Sequence, residues 1–356
     1  MLEVRNRPLD ASDIDAQLAL ARTAYDDPLA VDRGHFWWKH GLNPCGPSVA
    51  VGLFDDERIV GRSLLQRRDF RIDSKTTRRA ALVTDLLIAP DYRSTQNFLS
   101  LVAGQSDTGV DLLIHTSNQN SDILYRRLLE YPVAFNLKAF ALPLRGRRIL
   151  QSTFGAAMPE IAEALSYPWR VLLRGGAALI SRLAGLHLEE GLPDEAEFER
   201  SMKRFHSIAG PHFDRTYAFL QWRFERGPVF RGRIETLRIR GEVQGYVAWR
   251  NLTLEGLEFL VLMDMALAAP LSPLAHWALC LELAERGAET GADLIFVMVN
   301  PANKLLAPFA DLPLIPVPDS RLPHLTPLYV LPQREELRSL QTDASTYLML
   351  ADIDYF

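Results

Sequence analysis

The sequence contains one series of segments twice, about 180 residues apart. FWWKHGLNP resembles LQWRFERGP, FDDERIVGRSLL resembles RIRGEVQGYVAW, VTDLLIAP resembles LMDMALAAP, and GVDLLIHTSN resembles GADLIFVMVN. The matched pairs Trp38 and Trp222, Gly61 and Gly245, Asp85 and Asp264, and Asp111 and Asp293 are 184, 184, 179 and 182 residues apart. Four matches in the same order with such steady spacing indicate an internal duplication. We therefore predict two tandem α/β units, each a mixed sheet with helices on both faces.

The length of 356 residues also fits two domains. We place the first unit at residues 1–148 and the second at residues 193–356. The segment 149–192 lacks the strand and helix pattern of the two units. Its periodicity is partly helical, and it contains the helix breakers Tyr167-Pro168 and Gly175-Gly176. It is interpreted as a helical linker.

The best-defined stretch of the first unit is Ala81–Leu129, which predicts strand, turn, helix, strand, turn and helix. Ala81–Ile88 is a nearly continuous apolar run, typical of a strand covered on both faces. Phe98, with Leu101 and Val102 at helical spacing, predicts the first helix. Val110–Thr116 is the second strand, and the second helix follows it.

Further elements of the first unit are predicted on either side of this stretch. They are a strand at Arg5–Pro8, a helix ending near Ala24, a hairpin of strands Ser48–Phe54 and Ile59–Gln66, and a last strand within Ala134–Leu144. The basic segment Arg67–Arg79 is expected to be an exposed turn between strands, and the alternative is that it holds an anionic group of a ligand.

A polar turn after the first buried strand, Arg93–Asn97, is a candidate anion site. The N–H groups that open a helix point toward such a turn, and the helix dipole favours negative charge. Arg93 adds a guanidinium suited to phosphate oxygens. The competing interpretation is an ordinary strand–helix crossover with a solvated arginine.

Composition excludes several classes of protein. The net charge of −5 does not indicate a nucleic-acid partner. The two cysteines, Cys45 and Cys280, predict reduced thiols rather than a disulfide framework. The first residues have no apolar core of a signal peptide. Val171–Leu188 is interrupted by arginines and glycines, so no integral membrane segment is expected. These features predict a cytoplasmic location.

The segments LLIAPDYRS and NQNSDILYRRLL resemble the core of the GNAT superfamily of acyl-CoA N-acyltransferases. The resemblance covers Ala81 to about Leu129. It implies a GNAT fold in each tandem unit and an acyl-CoA donor, acetyl-CoA or another acyl-CoA. The sequence departs from the family at the phosphate turn, where Ser94, Thr95, Gln96 and Asn97 stand in place of the usual glycines, which allow close backbone approach.

By resemblance, the donor pantetheine would pair with the backbone of Leu86–Ala89 and the pyrophosphate would lie at Arg93–Phe98. The residues implied in donor binding are Leu87, Ile88, Arg93, Ser94, Thr95, Gln96, Asn97, Phe98 and Asn120.

Tyr125 occupies the position from which the family's tyrosine donates a proton to the sulfur. Its competing interpretation is a half-buried tyrosine that packs in its helix. The base candidates are Asp85, a mid-strand carboxylate expected to have a raised pKa, and His115 on the second strand. Asp264 holds the place of Asp85 in the second unit, which equally favours a structural hydrogen bond. For His115 the competing interpretation is a satisfied core residue, which is the more common role of a lone histidine on a strand.

The second unit has no counterpart of the phosphate turn. After Pro270 it reads LSPLAHWALC, without arginine, and its later segment NKLLAPFADL has no tyrosine. We infer that this unit is degenerate and completes the acceptor pocket or stiffens the first. The sequence shows no metal-ligand spacing, so no metal is expected.

The function predicted is acyl transfer, with acetyl as first choice, from acyl-CoA to the primary amine of a small molecule or amino sugar. The first unit would hold the active site. A non-catalytic GNAT-fold binding or scaffold protein is the alternative. A third is an aminoacyl-tRNA-dependent transferase, disfavoured by the acidic charge. The small-molecule acceptor would be the partner.

Overall fold

The computed structural model describes residues 2–106, 108–117, 119–145, 148, 176–228, 232–322 and 327–353. Residues 149–175 of the predicted linker lie outside the described residues, as do Asn118 and the side chain of Asn120.

Strands and helices alternate in both halves of the chain. The strands are β1 (Glu3–Pro8), β2 (Val49–Asp55), β3 (Arg58–Arg71), β4 (Thr77–Ile88), β5 (Leu112–Thr116), β6 (Phe135–Asn136), β7 (Lys138–Pro143), β8 (Leu186–Glu190), β9 (His212–Phe213), β10 (Arg233–Ile239), β11 (Glu242–Leu254), β12 (Leu257–Leu267), β13 (Leu294–Val299), β14 (Ile315–Pro316) and β15 (Pro327–Pro332). The helices are α1 (Ile14–Ala21), α2 (Arg33–His40), α3 (Thr95–Gln105), α4 (Gln119–Ile123, continued by a π-helical turn at Leu124–Leu128), α5 (176–184), α6 (Glu195–Ile208), α7 (Tyr217–Leu220, continued by a π-helical turn at Gln221–Glu225) and α8 (Pro273–Thr290). Short 3-10 helices lie at Ala11–Asp13, Leu29–Val31, Pro90–Tyr92, Ala307–Ala310, Asp319–Arg321, Glu335–Thr342 and Leu350–Asp352.

These elements form two mixed sheets with one parallel pair each. The first sheet has the order β1-β2-β3-β4-β5-β15-β6, with β9 beside the end of β3, and its parallel pair is β4–β5. The second has the order β14-β7-β13-β12-β11-β10-β8, and its parallel pair is β12–β13. In both sheets a helix, α3 or α8, connects the parallel strands. The predicted α/β class with two similar tandem units is confirmed.

The two halves exchange strands. β7 comes from the first half but pairs with β13, from Lys138 opposite Val299 to Pro143 opposite Leu294. β15 comes from the second half but pairs with β5, from Leu328 opposite Thr116 to Pro332 opposite Leu112. The expectation that Ala134–Leu144 ends the first unit's own sheet is therefore wrong for β7, because β15 occupies that edge. The boundaries at 148 and 192 stay predictions.

Helices cover the first sheet on both faces. We call the face under α3 and α4 the outer face; its core contains Ala81 and Val83 of β4, Phe98 of α3 and Tyr125 of α4. The opposite, inner face carries α1 and α2. Leu82 points to this side, into a core that continues into the second half of the chain.

The basic segment Arg67–Arg79 is strand at both ends, so its prediction as an exposed turn holds only for its middle, Ile72–Thr76. β3 continues to Arg71 and β4 begins at Thr77. Arg68 is buried because it faces the second half, where Asp352 neutralises it and Phe219 lies 3.8 Å from its guanidinium carbon. Both cysteines, Cys45 and Cys280, are free thiols.

Candidate active site

The parallel strands β4 and β5 diverge, which opens a cleft in the first sheet. They pair only from Ala80 opposite Leu112 to Leu82 opposite Ile114. β4 then runs on to Ile88 with β3 on one side, and none of the described residues forms a strand on the other side. Unpaired strand edges present N–H and C=O groups in the spacing that an extended ligand matches. This divergence, the first cleft, is the candidate site.

A β-bulge lies in the middle of the cleft. The register between β3 and β4 shifts between Arg62 and Leu64, close to Asp85 on β4. Asp85 has φ of +48°, a left-handed conformation that aspartate tolerates better than most residues. Bulges of this kind bend a strand and re-aim its side chains, often beside active sites.

The Asp85 carboxylate is held from the inner face by α2. Its Oδ2 accepts a hydrogen bond from Lys39 Nζ at 2.9 Å and lies 2.7 Å from His40 Nε2. His40 is fully buried, and its Nδ1 lies 3.0 Å from Ser48 Oγ. Burial alone would raise the pKa of Asp85, but Lys39 and His40 outweigh it and hold that pKa well below its usual range. The expected raised pKa is therefore wrong, because local sequence patterns do not reveal these two partners.

The turn Arg93–Asn97 lies at the carboxyl end of β4, where α3 begins. Ser94 is the N-cap, and its side chain accepts a hydrogen bond from the Asn97 N–H at 3.1 Å. The backbone N–H groups of Thr95 and Gln96 make no hydrogen bond among the described residues, so both remain available to an anion. Phe98 is buried under the sheet and anchors the helix.

The side chains of the turn differ in their exposure and in the hydrogen bonds that they already make. Arg93 is exposed, and its Nε donates to the backbone oxygen of Ile88 at 3.2 Å. This bond fixes the base of the guanidinium at the mouth of the first cleft. Asn97 is committed to structure, because its Nδ2 donates to the Tyr92 oxygen at 2.6 Å. Leu87 is buried on β4 and can offer a ligand only its backbone.

Tyr125 and His115 lie together on the outer face, where the two strands begin to part. Their ring centroids are 4.2 Å apart, and Phe98 packs edge-on against Tyr125 at 5.5 Å. Burial raises the pKa of the Tyr125 hydroxyl, which therefore stays protonated. Burial also lowers the pKa of His115 to about 3, so its imidazole is neutral at physiological pH. Asp85 thus faces α2 on the inner face, and Tyr125 lies across the sheet from it.

A polar cluster beside Tyr125 was not predicted. Asp122 accepts hydrogen bonds from Ser117 Oγ at 2.8 Å and Tyr329 Oη at 2.6 Å, and it pairs with Arg126 at 2.8 Å. Tyr329 also stacks on His115 with a centroid distance of 4.8 Å. It belongs to β15, so the second half of the chain supplies part of the first cleft. A separation of 207 residues from Asp122 leaves no signal in the sequence pattern.

The second sheet has a matching cleft that the chain itself fills. β12 and β13 pair only from Phe259 opposite Leu294 to Leu262 opposite Val297. Beyond this point Met349 forms an antiparallel bridge with Val299. Since β7 occupies the other edge of β13, Met349 lies on the β12 side, within the cleft.

Buried charges hold this C-terminal segment in place. The Tyr347 hydroxyl donates to the backbone oxygen of Met265 on β12. Asp352 pairs with both Arg215 and Arg68, and Arg215 also pairs with Asp264 at 2.9 Å. The four charged side chains are at most 1% exposed and their formal charges cancel. The second cleft is therefore closed.

The divergent parallel strands, the bulge and the helix N-terminus at the end of β4 define a GNAT-type fold. Residues 5–108 match the model of the family described as the acetyltransferase (GNAT) domain. The match includes the turn Arg93–Asn97 and ends before β5 and α4. A search of curated proteins found no significant match.

Solved structures with the same fold cover nearly the whole chain. A GCN5-related N-acetyltransferase from Anabaena variabilis ATCC 29413 is 11% identical with a TM-score of 0.59, over 93% of this chain and 73% of that one. An N-myristoyltransferase from Saccharomyces cerevisiae, solved with bound myristoyl-CoA and inhibitors, is 12% identical with a TM-score of 0.56, over 92% and 80%. A probable N-acyltransferase from Enterococcus faecalis V583 is 11% identical with a TM-score of 0.51, over 93% and 71%.

The resemblance to the GNAT superfamily is confirmed, and the fold consists of two GNAT-like units. The family match supports, in general terms, an acyl-CoA-dependent N-acyltransferase with an amine acceptor. Across the described ranges, no helix has the length and apolar character needed to cross a bilayer. Those same ranges contain no group of three or more metal-ligating side chains.

Proposed function

We propose that the first unit transfers an acyl group, with acetyl as the first candidate, from acyl-CoA to the primary amine of a small molecule or amino sugar. The observation that supports this most is the first cleft, an open edge of β4 that ends at the Arg93 turn. An extended thioester fits such an edge, and its phosphates would meet the guanidinium and the free N–H groups of Thr95 and Gln96.

The donor would run along β4 toward the bulge at Asp85. Backbone groups of Leu87 and Ile88 would pair with the pantetheine amides. The absence of glycine at Ser94 and Thr95 keeps two Cβ atoms beside the phosphates, so contacts to Arg93 would matter more than in a glycine turn.

Tyr125 is proposed as the acid. The amine nitrogen attacks the thioester carbonyl from the inner face, the new C–N bond forms and the C–S bond breaks. Tyr125 then gives its proton to the departing thiolate from the outer face, and the phenolate regains one from solvent. The raised pKa of Tyr125 keeps the proton in place until a thiolate appears.

Neither predicted base suits proton abstraction. Asp85 has a depressed pKa, and His115 is buried with a pKa of about 3. Efficient general bases have pKa values near the working pH. We propose instead that the amine loses its protons to water, one before the attack and one after it. Whether Asn120 contacts the donor stays a prediction, because its side chain lies outside the described residues.

The second unit is proposed to bind no donor. Its cleft holds Tyr347–Asp352, and the helix after β12 begins with Ser272 and Pro273 rather than with an arginine turn. Its role in this proposal is to supply Tyr329 to the first cleft and to close the inner face. A cytoplasmic location stays a prediction of the sequence.

Calorimetric titration with acetyl-CoA tests the proposal. The wild type should bind one equivalent, and Arg93→Ala should weaken binding by tenfold or more, since it removes a charge-assisted contact to phosphate. Arg22→Ala, which removes an exposed arginine at the end of α1, is the matched control and should bind as the wild type does. Release of free thiol in the presence of amines then measures turnover.

The alternative function is a non-catalytic binding module. It predicts that acetyl-CoA and longer acyl-CoAs produce no heat, or that they bind without any amine-dependent thiol release. Either result would overturn acyl transfer as the function of the first cleft.

A further inference from the structure

A polar cavity lies at the amino end of β4, outside the first cleft. Its volume is about 140 Å³, roughly ten times the space that one buried water molecule needs. Its lining includes Arg67 and Asp69 of β3, Arg79 of β4 and the loop Thr108–Val110 before β5. The turn Arg93–Asn97 lies beyond the other end of β4, roughly 25–30 Å away at the rise of a β-strand. The cavity is therefore separate from the proposed donor site.

Three charged side chains meet in this cavity on the outer face of the sheet. Arg67 and Asp69 are two residues apart on β3, and Arg79 is directly opposite Asp69 on β4. Because side chains alternate between the two faces of a sheet, these three share one face. Arg68 stands between the first two and faces the other way, where Asp352 pairs with it. Its charge therefore does not count in the cavity.

The charges of the cavity do not cancel. Within the described ranges, the side chains of Arg67, Asp69 and Arg79 form no ion pair and no hydrogen bond. Asp111 accepts a hydrogen bond from the Arg79 N–H at 3.2 Å, but its carboxylate is already paired with Arg334, also at 3.2 Å. Two guanidinium groups and one carboxylate thus leave a formal charge of +1, which a bound anion would offset.

The carboxylate between the two arginines restricts which anion fits. Guanidinium groups bind oxyanions through charge-assisted hydrogen bonds. A fully ionised anion such as sulfate would place only lone pairs against Asp69, and the two negative groups would repel each other. Inorganic phosphate still carries a hydrogen at neutral pH, so one of its oxygens can donate to Asp69 while the others accept from the arginines. Gly109 adds a backbone donor, because its N–H makes no hydrogen bond among the described residues.

We propose that this cavity binds inorganic phosphate, with Arg67 and Arg79 donating to its oxygens and Asp69 accepting its O–H group. The site does not rest on the proposed function. It follows the alternative expected for the basic segment Arg67–Arg79, an anion-holding role, but the residues that carry it lie on the two strands and not in the turn between them. The distance from Arg93 makes the anion a free phosphate and not a group of the acyl-CoA.

Calorimetry on the full-length protein at pH 8, with sodium phosphate and sodium sulfate as the probes, tests the site. The wild type should bind phosphate at least tenfold more tightly than sulfate. Arg79→Gln should weaken phosphate by tenfold or more, since a hydrogen bond to a charged group is worth about 10- to 100-fold in affinity. Arg78→Gln is the matched control, because Arg78 is the neighbouring arginine on the opposite face of β4, and it should bind phosphate as the wild type does.

Two further measurements test the role of Asp69. Asp69→Asn should remove the preference for phosphate and strengthen sulfate, because the amide can donate to an ionised oxygen and carries no negative charge. Methyl phosphate has lost its last hydrogen at pH 8, since the second pKa of a phosphate monoester is about 6. It should bind the wild type as weakly as sulfate does, which separates free phosphate from the phosphate group of a larger molecule.

Equal binding of phosphate and sulfate to the wild type would overturn the inference. So would an unchanged phosphate affinity in Arg79→Gln, an equal loss in Arg78→Gln, or methyl phosphate that binds as tightly as phosphate. Saturating acetyl-CoA should leave phosphate binding unchanged, and displacement of phosphate by acetyl-CoA would place the anion at the Arg93 turn and also overturn it. A failure of acetyl-CoA to bind at all would count against the proposed function alone.

Discussion

Trp38 and Trp222 donate their indole N–H groups to each other's backbone oxygens, at 3.0 and 3.1 Å. The rings stack with a centroid distance of 4.9 Å, and both residues are buried. They are 184 residues apart, which is the offset of the sequence repeat. Two equivalent residues that make the same contact with each other are related by a local two-fold axis. The axis therefore passes between these tryptophans.

Replacement of either tryptophan should weaken the interface between the two halves of the chain. Trp222→Phe removes one indole donor and leaves the buried Trp38 oxygen unsatisfied, for an expected loss of about 1–3 kcal/mol in the free energy of unfolding. Urea denaturation measures it. Trp37→Phe, a change at the half-exposed neighbour, should cost less. Strict additivity of Trp38→Phe and Trp222→Phe in the double variant would contradict the reciprocal pair.

Tyr125→Phe should separate chemistry from binding. The hydroxyl is the only group lost, so acetyl-CoA should bind as it does to the wild type while kcat falls by about 10²- to 10⁴-fold. Thiol release and calorimetry measure the two quantities. Tyr131→Phe, a neighbour with a ring centroid 6.3 Å away, is the control. A kcat equal to that of the wild type in Tyr125→Phe would show that the tyrosine hydroxyl takes no part in catalysis.

The stability contribution of Asp85 should depend on pH in a defined direction. Folding depresses the pKa of this carboxyl, so its ionised form stabilises the protein above the unfolded pKa of about 3.9. That contribution is lost as the pH falls through the folded pKa. At pH 7, Asp85→Asn should lower the free energy of unfolding by about 1–3 kcal/mol, because the buried groups of Lys39 and His40 lose their charged hydrogen-bond partner.

Urea titrations across the acid range measure this difference. The gap between the wild type and Asp85→Asn should narrow as the pH drops below about 4. A gap that stays constant with pH would mean that the aspartate contributes only packing.

Replacement of Asp352 should strongly destabilise the protein. Asp352→Ala leaves Arg68 and Arg215 buried with one carboxylate between them, and the loss of one partner of a buried ion pair costs about 3–5 kcal/mol. Asp26→Ala, at an exposed position, should be close to neutral. Thermal unfolding compares the two. Equal midpoints would show that the C-terminal segment is not held by these charges.

The sequence was sufficient for the elements with strong local signals. Ala81–Ile88 and Val110–Thr116 were found because buried parallel strands are nearly continuous apolar runs. The repeat itself predicted the second sheet. The start of α3 after Ser94 was predictable because polar residues between a buried strand and an apolar helical pattern mark a helix N-terminus, whereas anion binding at Arg93 stays a prediction.

The long-range contacts that shape the first cleft could not be predicted from local sequence patterns. Lys39 and His40 lie 46 and 45 residues before Asp85, and Tyr329 lies 207 residues after Asp122. Periodicity reports which face of an element is buried but not which residue it meets there. The pKa of Asp85 was therefore predicted in the wrong direction. The same limit hid the pairing of β7 and β15, since an apolar strand fits either sheet.

The crossing of β7 and β15 between the sheets bears on the history of the gene. A chain of half this length would have two unpaired edges and could close them by trading its last strand with an identical copy, as a symmetric dimer. In such a dimer both clefts are encoded by the same residues, so each substitution changes both of them. Joining the copies into one reading frame removes that constraint. One cleft can then be sealed by its own polypeptide while the other keeps its opening, which is the asymmetry seen between Asp264 and Asp85.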